Sequence, residues 1–86
     1  MSRVRKLIEK IRARPVEADY REVERLLAYF GWQKDRQEST HVTFVKDGEP
    51  AIITVPLKNG KVKSPYLRMI CERLGLDELD LDALGG

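Results

Sequence analysis

The apolar residues of this 86-residue chain follow a helical period at both ends and a strand period in the middle, which restricts the folds it can adopt. Three stretches repeat apolar residues at i, i+3, i+4 and i+7, the spacing of one face of an amphipathic helix. The stripes are Val4, Leu7, Ile8 and Ile11; Val23, Leu26, Leu27 and Phe30; and Leu67, Ile70, Cys71 and Leu74. They predict three helices, over residues 3–13, 20–30 and 64–74.

Residues at the helix ends support these boundaries. Asp19 stands three residues before a glutamate, a spacing that resembles a capping box at the start of the second helix. Ser64 is predicted to cap the third helix, and Pro65 suits its first turn because the missing N–H is harmless there. Gly31 and Gly75 stand where helices commonly end in a left-handed residue.

Between the second and third helices the sequence is typical of strands, predicted over residues 32–36, 40–46 and 51–55. Asp47-Gly48 predicts a hairpin between the last two, and Pro56 ends the final strand. Residues 15–18 are predicted to be a connection and residues 57–63 a basic loop. The order of elements predicts an α+β fold, with a three-stranded antiparallel sheet covered by helices on one face.

Length and composition predict a single domain over residues 1–86, with an N-terminal helical extension (1–18), a core (19–76) and an acidic tail (77–86). No apolar run approaches a membrane span, and no apolar signal region follows Met1, so we expect a cytoplasmic protein. The single cysteine, Cys71, lies on an apolar stripe and is expected to be a buried thiol. No ligand spacing for a metal and no glycine-rich phosphate loop is present, so no metal and no cofactor are predicted.

The charge is unevenly distributed. Residues 77–82 hold four of the 14 acidic residues, so residues 1–76 carry a net charge of +6 against +2 for the whole chain. A basic body is compatible with a polyanionic partner. Lys58, Lys61 and Lys63 precede the predicted helix start at Ser64, and ammonium groups beside a helix N-terminus favour an anion. The alternative is that these lysines form an ordinary solvated loop.

His41 is the only histidine and begins the second predicted strand. It alternates with Val42 and Phe44, so if those two face the core, His41 faces away from it. Taken alone, an incidental surface histidine is the simplest interpretation. If the sheet order follows the chain, however, His41 lies beside several basic residues, and a general acid/base beside phosphate-binding cations suits RNA cleavage. These residues are Lys34, Arg36, Lys58, Lys61 and Lys63.

Further segments carry a family resemblance: Leu26 to Trp32, Arg36 to Phe44, Ile53 to Pro56, Lys63 to Ile70 and Leu74 to Leu76. Together, over about residues 20–76, they resemble the HicA toxin family of bacterial toxin–antitoxin systems. The family's hallmark is Gly-Ser-His followed after two residues by an aromatic, and here residues 39–44 read Ser-Thr-His-Val-Thr-Phe. Thr40 keeps the hydroxyl, but Ser39 replaces the glycine and Glu38 stands where a basic residue is common.

The resemblance implies a double-stranded-RNA-binding-domain-like fold and the activity of an mRNA interferase, an endoribonuclease that works without a metal. His41 corresponds to the family's catalytic histidine and would act as general acid or base while the ribose 2′-hydroxyl attacks phosphorus. The implied partners are mRNA and a HicB-type antitoxin, with DNA reached only through the antitoxin. The residues predicted to bind RNA phosphate are Lys34, Arg36, Thr40, Lys58, Lys61, Lys63 and Ser64.

Two alternatives remain open. The departures at Glu38 and Ser39 are compatible with a catalytically inactive module that binds RNA or the antitoxin, which would show salt-sensitive RNA binding without cleavage. A small interaction domain with a merely solvated basic loop would not associate with RNA even at low salt. Fold alone does not choose among these, because one fold hosts many activities.

Overall fold

Three α-helices and five strands make up the described part of the chain, residues 3–84 of a computed structural model. The helices are α1 (Arg3–Arg12), α2 (Tyr20–Tyr29) and α3 (Ser64–Leu74). The strands are β1 (Glu17–Asp19), β2 (Gln33–Gln37), β3 (His41–Val45), β4 (Ile53–Pro56) and β5 (Lys61–Lys63). Two 3₁₀ turns, Leu76–Glu78 and Leu81–Leu84, follow α3.

The strands β2, β3 and β4 form an antiparallel sheet whose order follows the chain, which confirms the predicted α+β fold. Val42 lies opposite Val55, and Phe44 lies opposite Ile53; all four side chains are buried. Because successive side chains point to opposite faces, these four define an inner face covered by helices. The alternate residues form the outer face: the exposed His41 together with Thr43 on β3, opposite Pro56 and Thr54 on β4.

The helices pack into the same core as the inner face of the sheet. Leu7, Ile8 and Ile11 of α1 are buried there, together with the apolar stripes of α2 and α3. The last residues of two stripes, Phe30 and Leu74, are only half-buried because they lie at helix ends. Cys71 is buried, as predicted: burial raises the pKa of its thiol, and Sγ lies 3.9 Å from the carbonyl oxygen of Ile11.

A second, two-stranded sheet was not predicted. β1 pairs antiparallel with β5, where the sequence predicted a connection and a basic loop. Asn59 and Gly60 both have positive φ (55° and 73°), and they form a tight turn between Lys58 and Lys61. The prediction was wrong because strands of three residues are too short to show a period, and their pairing joins residues more than 40 positions apart.

Both predicted side-chain caps were also wrong. Asp19 makes no capping hydrogen bond; its carboxylate binds Lys61 instead. Lys63, not Ser64, is the N-cap of α3, and Ser64 is the first helical residue, its N–H donating to the carbonyl of Val16 at 2.9 Å. The pairing of β1 with β5 therefore fixes both helix starts. At the other end of α3, Gly75 has the predicted left-handed conformation, with φ of 65°.

The strand β4 begins two residues later than predicted. The Arg73 guanidinium of α3 donates to the carbonyl oxygens of Ala51 (2.9 Å) and Ile52 (3.4 Å), so these carbonyls do not serve a strand partner. The same guanidinium lies 5.2 Å from the ring centroid of the buried Trp32, a cation–π distance. Arg73 thereby holds the β3–β4 connection against α3.

The acidic tail packs against α1. Leu76 is buried, and the Asp77 carboxylate lies 2.7 Å from the Arg14 guanidinium and 3.9 Å from that of Arg12. Asp82 lies 3.4 Å from Arg5. The tail therefore forms 3₁₀ turns that dock on the chain's own first helix. None of the helices within residues 3–84 has the length and apolarity needed to cross a membrane.

Candidate active site

His41 is the first residue of β3, and backbone contacts on both sides fix its position. It lies opposite Pro56 of β4, while its carbonyl oxygen accepts from the N–H of Glu38 at 2.7 Å. The preceding carbonyl, that of Thr40, accepts from the N–H of Leu57, also at 2.7 Å. The alternation with the buried Val42 correctly predicts that the His41 side chain is exposed on the outer face.

In the described part of the chain, one nitrogen of the imidazole has a protein partner and the other has none. Thr40 Oγ1 lies 2.9 Å from His41 Nδ1, and either group can be the donor. Nε2 has no hydrogen-bond partner within the described residues. When Nδ1 donates to the threonine, Nε2 carries the lone pair and is available to accept a proton from a bound molecule. Such an arrangement suits a general base or acid.

Arg36 shares the outer face with His41, but Lys34 does not. A register shift at Asp35 pairs Arg36 with Thr43 and Lys34 with Phe44, and directly opposed residues project from the same face. Lys34 is thus directed to the inner side, where Nζ lies 3.0 Å from Gln37 Oε1 and 3.4 Å from a carboxylate oxygen of Glu24. The expectation that Lys34 lies beside His41 is wrong. Simple alternation places Lys34 and Arg36 on one face of the sheet, but the bulge between them directs the two side chains to opposite faces.

Lys58 lies near the same end of the sheet as His41. It follows Pro56 by two residues, and Leu57 continues the pairing of β4 with the chain before β3 through its bond to Thr40. Alternation along this segment places Lys58 on the outer side, like Pro56. No carboxylate pairs with Lys58 or with Arg36 within residues 3–84, so both charges are available to an anion beside His41.

Lys61 and Lys63 are neutralised by residues of β1. The Lys61 ammonium binds the Asp19 carboxylate, and Lys63 binds Glu17, across the two-stranded sheet. These bonds lower the pKa of both carboxyls and raise the pKa of Lys61. The last three residues of the predicted basic loop therefore form β5, and Lys61 and Lys63 within it already have partners. The signal in the sequence is the matching spacing, with acids at 17 and 19 and lysines at 61 and 63.

The paired carboxylates give an expectation for acid stability. Their pKa values lie below the ordinary 4.5 of Glu17 and 3.8 of Asp19, so their stabilising effect is complete above those values and is lost as the pH falls through the lowered pKa. Between pH 5 and pH 3, the melting temperature of the double variant Glu17→Gln/Asp19→Asn is expected to fall by less than that of the wild type. Thermal melts followed by circular dichroism at each pH measure this difference.

The control for this experiment is Asp47→Asn/Glu72→Gln, which removes one carboxylate of each kind from exposed positions without ion-pair partners in the described residues. It is expected to follow the wild type at every pH. If the two double variants have the same acid dependence, the cross-strand ion pairs do not stabilise the fold.

Ser64 lies apart from His41. It lines a cavity of about 240 Å³ together with Arg14, Pro65 and Arg68, and no residue of the three-stranded sheet contributes to that cavity. Two exposed arginines on α2, Arg21 and Arg25, were not predicted as site residues, although their i, i+4 spacing indicates a shared helix face. Within residues 3–84, no three His, Cys, Asp or Glu side chains converge into a group that can hold a metal.

Comparison with known families gives one match. The sequence profile of the family described as the HicA toxin of bacterial toxin-antitoxin matches residues 20–76, which is more than half of the chain. The matched range contains α2, the whole three-stranded sheet, β5 and α3, and therefore includes His41. Neither the curated proteins nor the solved structures compared with the chain gave a match.

Proposed function

Because the chain belongs to the HicA toxin family of bacterial toxin–antitoxin systems, we propose that it is an endoribonuclease. It cleaves mRNA with His41 as its general acid/base. The observation that carries this proposal is the exposed imidazole of His41. It is held by Thr40 at Nδ1 and lies at the end of the sheet near Lys58; within residues 3–84, Nε2 has no protein partner and Lys58 has no carboxylate partner.

The reaction uses the RNA's own 2′-hydroxyl as the nucleophile. Nε2 of His41 takes the 2′ proton, the 2′ oxygen forms a bond to the neighbouring phosphorus, and the bond from phosphorus to the 5′ oxygen breaks. The charge on the phosphate oxygens is stabilised by Lys58 and Arg36. The products are a 2′,3′-cyclic phosphate and a 5′-hydroxyl, once the leaving oxygen has gained a proton.

A single histidine does not accept and donate a proton in the same step, so the leaving oxygen needs another donor. Water, a lysine or a tyrosine has this chemistry. Tyr20 is a poor donor, because burial and the neighbouring Glu24 raise the pKa of its hydroxyl, which already donates to Glu24 Oε2 at 2.7 Å. Lys58, on the outer side near His41, is the candidate from the chain itself.

The experiment that tests this function compares two RNA oligonucleotides. The purified protein is incubated with an unmodified single strand and with the same strand carrying 2′-O-methyl groups throughout, both in the presence of EDTA. We expect cleavage of the unmodified strand alone, leaving 2′,3′-cyclic phosphate ends that mass spectrometry identifies. Cleavage of the methylated strand, or cleavage abolished by EDTA, would contradict the proposed chemistry.

Membership of a toxin–antitoxin family implies an antitoxin partner. We propose that this partner is a HicB-type protein that covers the outer face and His41 in the cytoplasm, and that the toxin reaches DNA only through it. Arg36 and Lys58 give this face positive charges that suit acidic side chains of an inhibitor as well as RNA phosphates.

One observation favours the inactive alternative. Glu38 lies opposite His41 in the register of β2 and β3, since its N–H donates to the His41 carbonyl, so its side chain belongs to the same face. A carboxylate there repels phosphate. If it prevents cleavage, the wild-type protein binds RNA and leaves it intact, and Glu38→Gln gains cleavage in the assay above.

A further inference from the structure

A groove lies between α2 and the turn that links β4 to β5. Residues 19–22 and Arg25 line one side, and residues 59–61 line the other; we call this depression the α2 groove. Its volume is about 570 Å³, which is within the range of sites that hold small ligands. The N–H of Tyr20 donates to the carbonyl of Gly60 at 2.9 Å, so the two sides are fixed relative to each other.

The charges that remain available in the α2 groove are positive. Its two carboxylates are already bound: Asp19 by Lys61, and Glu22 by Lys10 at 2.7 Å. Arg21 and Arg25 are both exposed and form no ion pair within the described residues. They are four residues apart on one helix face, where like charges destabilise the helix. An anion between the two guanidinium groups removes this repulsion and suits their forked geometry.

A short stretch of chain joins the α2 groove to the candidate active site. Pro56, opposite His41, leads through Lys58 to the turn residue Asn59, which borders the groove. Asn59 lies three residues beyond Pro56, and because a fully extended chain spans about 3.3 Å per residue, the chain between them covers less than about 10 Å. Lys58 lies between the two places and has no carboxylate partner in the described residues. A flexible polyanion that occupies both sites therefore meets positive charge along its path.

We propose that the α2 groove binds the single-stranded RNA next to the cleaved bond, with Arg21 and Arg25 each contacting a backbone phosphate. This inference rests on the proposed function, because it places the substrate of the same site. The contacts are to phosphate, so the groove adds affinity without reading the base sequence.

The test measures the salt dependence of RNA binding. A fluorescent single-stranded RNA with 2′-O-methyl groups throughout, which is not a substrate, is titrated with the wild type and with Arg21→Gln/Arg25→Gln at several salt concentrations. Two lost phosphate contacts are expected to reduce the slope of log K against log salt by about 1.4, at about 0.7 per contact for single strands. If the two proteins bind equally at 1 M salt, this difference in slope makes RNA binding by the variant about 25-fold weaker than by the wild type at 0.1 M salt.

The control is Lys6→Gln/Arg68→Gln, which removes the same charge from exposed positions on α1 and α3. We expect its slope to equal that of the wild type. Equal slopes for both double variants, or no binding by the wild type, would overturn the inference. Cleavage of unmodified RNA is measured in parallel. If the wild type cleaves RNA while the slopes are equal, the α2 groove does not bind RNA, and the proposed function is unaffected. A slope change without any cleavage supports the groove and contradicts the proposed function.

Discussion

Replacing His41 with Ala is expected to slow RNA cleavage by about 10²–10⁴-fold, the usual contribution of one positioned acid/base. The side chain is exposed and its only hydrogen bond within the described residues is to Thr40, so the fold does not depend on it. The rate of cleavage of a labelled RNA under single-turnover conditions measures the loss. The melting temperature of the variant is expected to stay within a few degrees of the wild type.

Imidazole added to the buffer serves as the control for this variant. Because truncation to Ala leaves space at the exposed position, free imidazole is expected to restore part of the rate to His41→Ala and to leave the wild type unchanged. Replacing Thr40 with Val removes the contact at Nδ1 and is expected to cause a smaller loss, since the imidazole itself remains. A His41→Ala protein that cleaves as fast as the wild type would contradict the catalytic role of this residue.

Replacing Ile53 with Ala is expected to lower the free energy of unfolding by about 2–5 kcal/mol, the usual cost of truncating a buried isoleucine. Ile53 is fully buried opposite Phe44, so the truncation leaves a cavity between the sheet and the helices. A domain of this size loses about 4–8 °C of melting temperature per kcal/mol. Urea unfolding followed by circular dichroism measures the free energy directly.

The neighbouring residue provides a matched control. Ile52 undergoes the same change in side chain but is 54% exposed, so Ile52→Ala is expected to alter the free energy of unfolding by about 0.5 kcal/mol or less. Equal effects of the two substitutions would show that the inner and outer sides of this segment are assigned incorrectly.

The helices and the central sheet were predictable because their signals are local and repeated. Each apolar stripe gives several matches to one period, and the buried stripe residues Val23, Leu26 and Leu27 face the core as that period requires. The alternation of Val42 and Phe44 likewise fixes which side of β3 is buried, and so predicts that His41 is exposed. Helix caps were less predictable: a side chain such as Asp19 has alternative partners, and here Lys61 binds it.

The candidate site was only partly predictable for the same reason. The sequence marks His41 and its basic neighbours as a group, but the bulge at Asp35 directs Lys34 to the other side of the sheet from Arg36. Nothing local indicates this shift, because a single extra residue in one strand is defined only by its pairing with the next. The role of His41 in catalysis remains a prediction that the experiments above address.

By itself, the sequence determined the three helices with their buried stripes, the three strands of the central sheet, the buried side of β3 and the family to which the chain belongs, because these depend on residue type and on spacings of a few positions. The tertiary structure alone decided which charges are free. Glu17 and Asp19 meet Lys63 and Lys61 only because β1 and β5 pair across more than 40 residues, while Lys58 and Arg36 meet no carboxylate in the described chain. Ion pairing depends on distances of a few ångströms between atoms, and folding sets those distances.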